Sequence, residues 1–194
     1  NLALANVYEK MALARGLVGN SRRAIDFLDR EEQNSKATAS RSLLQATRAR
    51  CRMRQAQEMF NGLTPEERNS GLHAAQADFE SALGNRRSTK QFTRQDAETL
   101  YYLAETMIAL ASQNEADATQ QLAQAESALR SAIEAADPHS PRLSHYRWRL
   151  LLVISSLSTP DTRPAKQYAD EIFASTKDWK EQDPAAISGI AITP

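Results

Sequence analysis

The stretch TPEERNSGLHAAQADFESALGN, residues 64–85, contains the signals of one complete α-helix. Thr64 is a residue type that caps helix N-termini, and Pro65 suits the first helical position. Glu67 lies where a capping box places its acidic residue. Gly84 then closes the segment, because glycine readily adopts the backbone conformation that ends helices. The sequence therefore predicts a helix that begins at Pro65 and ends just before Gly84.

The second half of this helix carries a small, a large apolar and again a small residue, at Ala75, Phe79 and Ala82. Spacings of four and three residues put all of them on one helical face. The pattern recurs about every 50 residues, and a period of this size is typical of stacked helical hairpins. The copies are Ala125, Leu129 and Ala132, then Ala169, Phe173 and Thr176, and a weaker one at Ala24, Leu28 and Glu31.

The composition extends the helical prediction to the whole chain of 194 residues. Alanine, the best helix former, is abundant, whereas glycine and proline number only six and seven. No stretch alternates in the way that a half-buried strand requires. Turn-forming residues divide the chain into about eight helical segments. The first of these turns, Gly16 to Asn20, is expected to precede a helix that starts at Ala24. The predicted class is all-α.

The repeated motif resembles the second helix of the tetratricopeptide family. The first-helix pattern of that family is matched by Tyr8, Met11 and Ala12, by Leu100, Leu103 and Ala104, and by Trp148 and Leu151. Leu152 stands where the family has a small residue, and the period exceeds the family's 34 residues. The resemblance implies a right-handed solenoid of about four helical hairpins over residues 1–177.

Residues 178–194 form a C-terminal tail of different character, with two prolines, a glycine and an apolar run that has no helical period. Chain ends of this kind are commonly poorly ordered. The alternative is an extended segment that docks on the helical array or on another copy of the chain.

In tetratricopeptide proteins the first helix of each hairpin lines a concave surface that binds partners. The resemblance therefore implies a partner-binding groove and places seven residues in it. They are Arg48 and Arg52 in the second hairpin, Glu98, Tyr101 and Glu105 in the third, and Tyr146 and Arg149 in the fourth. Because Tyr101 and Tyr102 cannot share a helical face, we expect one to pack inside and the other to point outward, either as an exposed ring of the binding surface or as a partly buried packing residue.

Two basic clusters bear on the chemistry of the partner. The first contains Arg48, Arg50, Arg52 and Arg54, and the second Arg86, Arg87, Lys90 and Arg94. Either they are solvated faces balanced by acidic residues on neighbouring helices, or they attract an acidic peptide or a phosphorylated segment. A formal net charge of zero and few aromatic residues argue against nucleic acid as the partner.

The sequence shows no catalytic pattern. His139 and His145, near Asp137, lack the spacing of metal ligands, so no metal and no cofactor are predicted. Cys51 lies between two arginines that would lower the pKa of its thiol, but a buried packing role is the favoured interpretation. A phosphate-binding loop is absent, and the longest apolar run, Leu150 to Ile154, is too short to span a bilayer.

These observations favour a non-enzymatic module that binds a protein or peptide. The chain begins at Asn1 without methionine, so we expect it to be a piece of a longer protein. The stretch from Leu4 to Leu28 resembles repeats that follow the kinase domain of bacterial eukaryotic-type serine/threonine kinases, which implies a sensor on the periplasmic side of the inner membrane. The alternatives are a cytoplasmic scaffold, a secretion chaperone or the effector domain of a transcription regulator, and, last, an unfamiliar helical enzyme.

Overall fold

The computed structural model describes residues 18–34, 38–57, 62–114 and 116–157, together with Asp170. Every regular element within these ranges is helical, and none of them contains a strand. The predicted all-α class is therefore confirmed. The first-helix match at Tyr8 to Ala12, the motif copy from Ala169 to Thr176 and the tail at 178–194 lie outside the described residues.

Seven helices follow one another in the described part of the chain. They are α1 (Val18–Asn34), α2 (Thr38–Gln57), α3 (Pro65–Leu83), α4 (Asn85–Thr89), α5 (Asp96–Ala111), α6 (Ala118–Ala135) and α7 (Arg142–Leu157). All except the short α4 span between 16 and 20 residues. The sequence did not predict α4, which lies in the turn after Gly84.

The ends of α3 agree with the sequence prediction. The Thr64 hydroxyl accepts a hydrogen bond from the amide of Glu67, and the Glu67 carboxylate accepts one from the amide of Thr64, at 3.2 and 2.8 Å. Gly84 ends the helix with a φ of +50°, which residues with a Cβ rarely adopt. The predicted start of α1 at Ala24 is wrong, because the helix already includes Gly19 and Asn20. Both residue types are tolerated in the first turn, where intrahelical bonds are incomplete.

Helices that follow one another pack side by side. The closest associations join α2 to α3 and α5 to α6, and further contacts join α1 to α2, α3 to α5, and α6 to α7. Helix α5 also touches α2, so it lies at the centre of the described helices.

The motif residues form the seams between these helices. Ala75, Phe79, Ala125, Leu129 and Ala132 are fully buried, and Ala82 is nearly so. Alanine lets two helix backbones approach closely, while the large residue fills the adjoining space and removes apolar surface from water. Ala24 and Leu28 are buried in the same way against Cys51 of α2, which agrees with the packing interpretation of that cysteine.

Candidate partner-binding surface

The structure divides the seven predicted groove residues into two groups. Glu98, Tyr101 and Glu105 lie on α5, and Tyr146 and Arg149 lie on α7, where they contact one another or their neighbours across the two helices. We call these five residues the α5–α7 surface. Arg48 and Arg52 of α2 belong to the second group, because their charged ends turn toward acidic residues of α1 and α3.

An arginine–carboxylate pair and an aromatic pair hold the α5–α7 surface together. The Arg149 guanidinium donates two hydrogen bonds to the Glu105 carboxylate, at 2.5 and 2.8 Å. This two-pronged geometry is stronger and more directional than a single ion pair. The rings of Tyr101 and Tyr146 stack with centroids 4.9 Å apart. Both contacts bridge residues more than 40 positions apart in the sequence.

Tyr101 lies at the middle of an aromatic row. Its hydroxyl is 2.8 Å from Nε2 of His145, and its ring meets the edge of Tyr102 at 5.4 Å. Burial, followed by the negative charge of Glu105, raises the pKa of Tyr101, so the phenol stays neutral at ordinary pH. Tyr102 continues the row onto Phe79, at 6.5 Å. Both tyrosines are half-buried, so the expected division into one inner and one outer ring does not occur.

The five residues of the α5–α7 surface differ in how much of each side chain is exposed to a partner. Tyr146 is only 3% exposed and supports Tyr101 from beneath. The carboxylate of Glu98 is accessible and pairs with Arg142 at 2.6 Å. Tyr101 and Arg149 are half-buried, which leaves part of each side chain at the surface. The accessible part of the surface is therefore one aromatic ring flanked by charges of both signs.

A cavity of about 360 Å³ opens beside this surface, between the ends of α2 and α5 and the start of α3. Its polar lining includes Glu105, Arg149 and the guanidinium of Arg68, and its apolar lining includes Ile108 and Ala109. Arg68 also donates to the carbonyl of Ala56 at 3.4 Å, and so binds the last turn of α2. Such a mixture suits the backbone and side chains of a peptide better than a purely apolar ligand.

Arg48 joins three helices instead of lining this cavity. Its guanidinium binds Asp78 of α3 through two hydrogen bonds of 2.9 and 2.6 Å, Asp29 of α1 at 2.7 Å, and Glu32 of α1. Burial opposes the charge, but the hydrogen bonds and negative charges of Asp78 and its neighbours prevail, so the pKa of Arg48 is raised. Arg52 adds a bond of 2.7 Å to Asp78. Replacing Arg48 and Arg52 together by glutamate would therefore disturb the fold and would not test a binding role alone.

Two arginines absent from the predicted site extend the α5–α7 surface. Arg50 of α2 lies 3.6 Å from the Glu98 carboxylate, with its guanidinium 5.8 Å from the Tyr102 ring centre. Arg142, at the start of α7, binds the same carboxylate. The alternation of arginines along α2 offered one signal: Arg50 is two residues from Arg48 and therefore lies on a different helical face. Only the tertiary structure shows which residue Arg50 contacts on that face.

The second basic cluster is largely paired. The partners are Asp96 for Arg86 at 3.1 Å, Glu80 for Arg87 at 2.5 Å, and Asp137 for Arg94 at 3.0 Å. Lys90 is exposed and has no hydrogen bond or ion pair with another described residue. The cluster therefore presents one cation toward solvent.

Two of the side chains considered above as metal ligands, His145 and Asp137, make contacts with other residues. His145 contacts Tyr101, and Asp137 accepts from the amide of His139 at 3.0 Å. Within the described ranges, no group of three or more histidine, cysteine or acidic side chains is arranged to hold a metal ion. None of the helices in the same ranges combines the length and apolar character of a membrane span.

The chain matches no protein-family model, no curated protein and no solved structure. The candidate site therefore consists of the α5–α7 surface and the adjacent cavity.

Proposed function

We propose that this chain is a non-enzymatic, tetratricopeptide-like helical-repeat module that binds a protein or peptide segment on the α5–α7 surface. Its partner enters the adjacent cavity with a polar side chain or chain end and lies across Tyr101. At the cavity Glu105 and Arg149 neutralise one another, and Arg68 donates to backbone carbonyls; this arrangement suits recognition better than proton transfer.

The packing order of the helices supports the repeat part of the proposal. Helices α2 with α3, and α5 with α6, associate more closely than helices of different pairs. The buried small–large–small motif lies on the second helix of each of these pairs, at Ala75 to Ala82 and Ala125 to Ala132. In a solenoid of hairpins, α2, α5 and α7 would be the first helices and would share one surface.

The observation that carries the binding proposal is the cavity beside the Glu105–Arg149 pair of the α5–α7 surface. A volume of about 360 Å³ accommodates one or two peptide side chains, and its lining offers donors, acceptors and apolar surface. Tyrosine and arginine supply much of the energy at protein interfaces. Both are present here, and the Glu105 pair fixes the position of Arg149 before a partner arrives.

We propose further that the module is the sensory domain of a membrane-anchored serine/threonine kinase and faces the periplasm. The resemblance of the stretch from Leu4 to Leu28 supports this placement. A cytoplasmic scaffold, a secretion chaperone and the effector domain of a transcription regulator use the same surface and remain the alternative. The parent gene distinguishes them: a kinase domain followed by about twenty apolar residues supports the sensor, and a DNA-binding domain supports the alternative.

The binding proposal is tested by selecting peptides from a random phage-displayed library and measuring their affinity by fluorescence polarisation. Gln113 is exposed and lines the cavity, so Gln113→Trp fills the cavity without entering the core. We expect this variant to weaken the binding of the selected peptides at least about tenfold, which corresponds to a loss of about 1.4 kcal/mol in binding free energy.

The matched control is His73→Trp, at an equally exposed site of α3 outside the cavity lining. It should leave the affinity unchanged, and both variants should keep the circular dichroism of the parent. If no peptide is selected, or if the two variants bind equally well, the α5–α7 surface is not the binding site.

A further inference from the structure

A second cavity, of about 220 Å³, lies between α5 and α6 below the turn that contains α4. Its floor consists of core side chains: Leu100, Leu103 and Met107 of α5 are at most 2% exposed, and Ala128 of α6 is 8% exposed. Helical geometry places these α5 residues on the side of the helix opposite Glu105, so this cavity is separate from the peptide cavity. It is an apolar space that reaches from the core to the surface.

The mouth of this cavity is polar and positively charged. Arg87 and Lys90 line it on one side, and Ser127 and Ser131 of α6 line it on the other. Arg87 pairs with Glu80 at 2.5 Å, so two cations face one carboxylate at this end of the cavity. These three side chains together leave a net charge of +1 at the entrance of the apolar cavity.

The backbone of Lys90 adds a second, independent observation. Its φ of +53° is the only positive value among the described residues other than glycine. Glycine is the usual residue at such a helix end, because a side chain makes this conformation costly. Strain of this kind is concentrated at functional sites, where the side chain is required for another purpose. Here the strained residue is one of the two basic residues that line the cavity.

We propose that this cavity binds a small amphipathic carboxylate, with its apolar body over Leu103 and Met107 and its carboxylate at Lys90. An apolar floor excludes a strongly hydrated ion, and the cationic mouth disfavours an ammonium headgroup. The hydroxyls of Ser127 and Ser131 provide additional hydrogen-bond donors to the carboxylate oxygens. Met107 has a flexible thioether and adapts to ligands of different shape.

Octanoate is the test probe, with 1-octanol as its neutral analogue and octylammonium as its cationic analogue. Binding is followed by the methyl resonances of the methionines in the intact chain. Met107 lines the cavity, whereas Met53 is buried in a different cluster, against Leu72 of α3, and serves as the internal control. We expect octanoate to shift the Met107 resonance saturably below about 1 mM, with Met53 unchanged. Octanol should bind more weakly, and octylammonium weakest.

Two variants test separately the contribution of the Lys90 charge and that of the cavity volume. Lys90→Gly removes the ammonium and relieves the strained φ, so the melting temperature should not fall. It should weaken the binding of octanoate about three- to tenfold and leave the binding of octanol unchanged. Ser131→Leu places apolar bulk in the cavity from a half-buried position and should abolish binding of both probes. Arg94→Gln, a basic residue outside the lining, is the control for net charge.

The proposal is overturned if octanoate produces no saturable shift, or if it moves Met53 as much as Met107. It is overturned equally if octanol and octanoate bind alike and Lys90→Gly has no effect, because the cationic mouth then plays no part. These outcomes are independent of peptide binding on the α5–α7 surface, since Gln113→Trp leaves the second cavity intact.

Discussion

At the scale of single residues, the position of Arg48 shows why a row of like charges cannot be interpreted from its sequence alone. Arg48 is 13% exposed at its side chain, and its main partner, Asp78, is 8% exposed. A buried ion pair contributes little in excess of apolar packing, but removal of one partner leaves a charge without compensation. The network therefore fixes how α1, α2 and α3 meet.

This network predicts a large effect from a small substitution. Asp78→Asn keeps the shape of the side chain but removes the charge that binds Arg48 and Arg52. We expect it to lower the free energy of unfolding by about 3 kcal/mol, measured by urea unfolding monitored by circular dichroism.

Arg94→Gln is the control for Asp78→Asn, because Arg94 pairs with Asp137 at the surface with 74% of its side chain exposed. We expect Arg94→Gln to lower the free energy of unfolding by less than about 1 kcal/mol. Equal effects of the two substitutions would show that the Arg48 network contributes no more than an exposed ion pair.

At the scale of helices, the glycines of α3 and its end serve different purposes. Gly84 requires its conformation, with a φ of +50°. Gly71 lies inside the helix, and among the described residues a Cβ added there would meet the Cβ of Ala56, at an ordinary contact distance of 3.5 Å. A glycine inside a helix costs stability, because its backbone loses more freedom on folding than that of alanine.

Gly71→Ala should therefore stabilise the protein by about 0.5–1 kcal/mol. Gly84→Ala should destabilise it by about 1 kcal/mol or more, because alanine is strained at this φ. Thermal unfolding of both variants measures the difference. Destabilisation by Gly71→Ala would mean that α2 and α3 pack more tightly at Ala56 than the structure shows.

At the scale of the whole molecule, the described helices do not share one uniform core. The largest apolar cluster joins residues of α2, α3, α5, α6 and α7, whereas the buried residues of α1 pack in a separate cluster with α2. Parts of a protein that belong to separate buried clusters can open at different free energies.

Native-state hydrogen exchange should show this difference. Amides of α5 and α6 should exchange with the highest protection, and amides of α1 should open at a lower free energy, because α1 packs on α2 alone among the described helices. Peptide-resolved mass spectrometry measures both. Equal protection in α1 and α5 would indicate that all of these helices unfold together.

The predictions from sequence succeeded where the cause is local. The capping residues of α3, its glycine end and the spacing of Ala75, Phe79 and Ala82 depend on neighbours within one or two turns. The start of α1 was predicted too late, and the short α4 was not predicted, since glycine, asparagine and serine near a helix end occur both inside and outside helices.

The sequence by itself determined that the chain is helical and which faces of α3 and α6 are buried, because backbone propensity and apolar spacing act within each helix. Only the tertiary structure decided that Arg48 binds Asp78, 30 residues away, while Arg50 reaches Glu98. It also decided that Glu105 and Arg149 meet across 44 residues, and where the two cavities open. Such contacts and voids depend on how whole helices cross, and no short stretch of sequence encodes that angle.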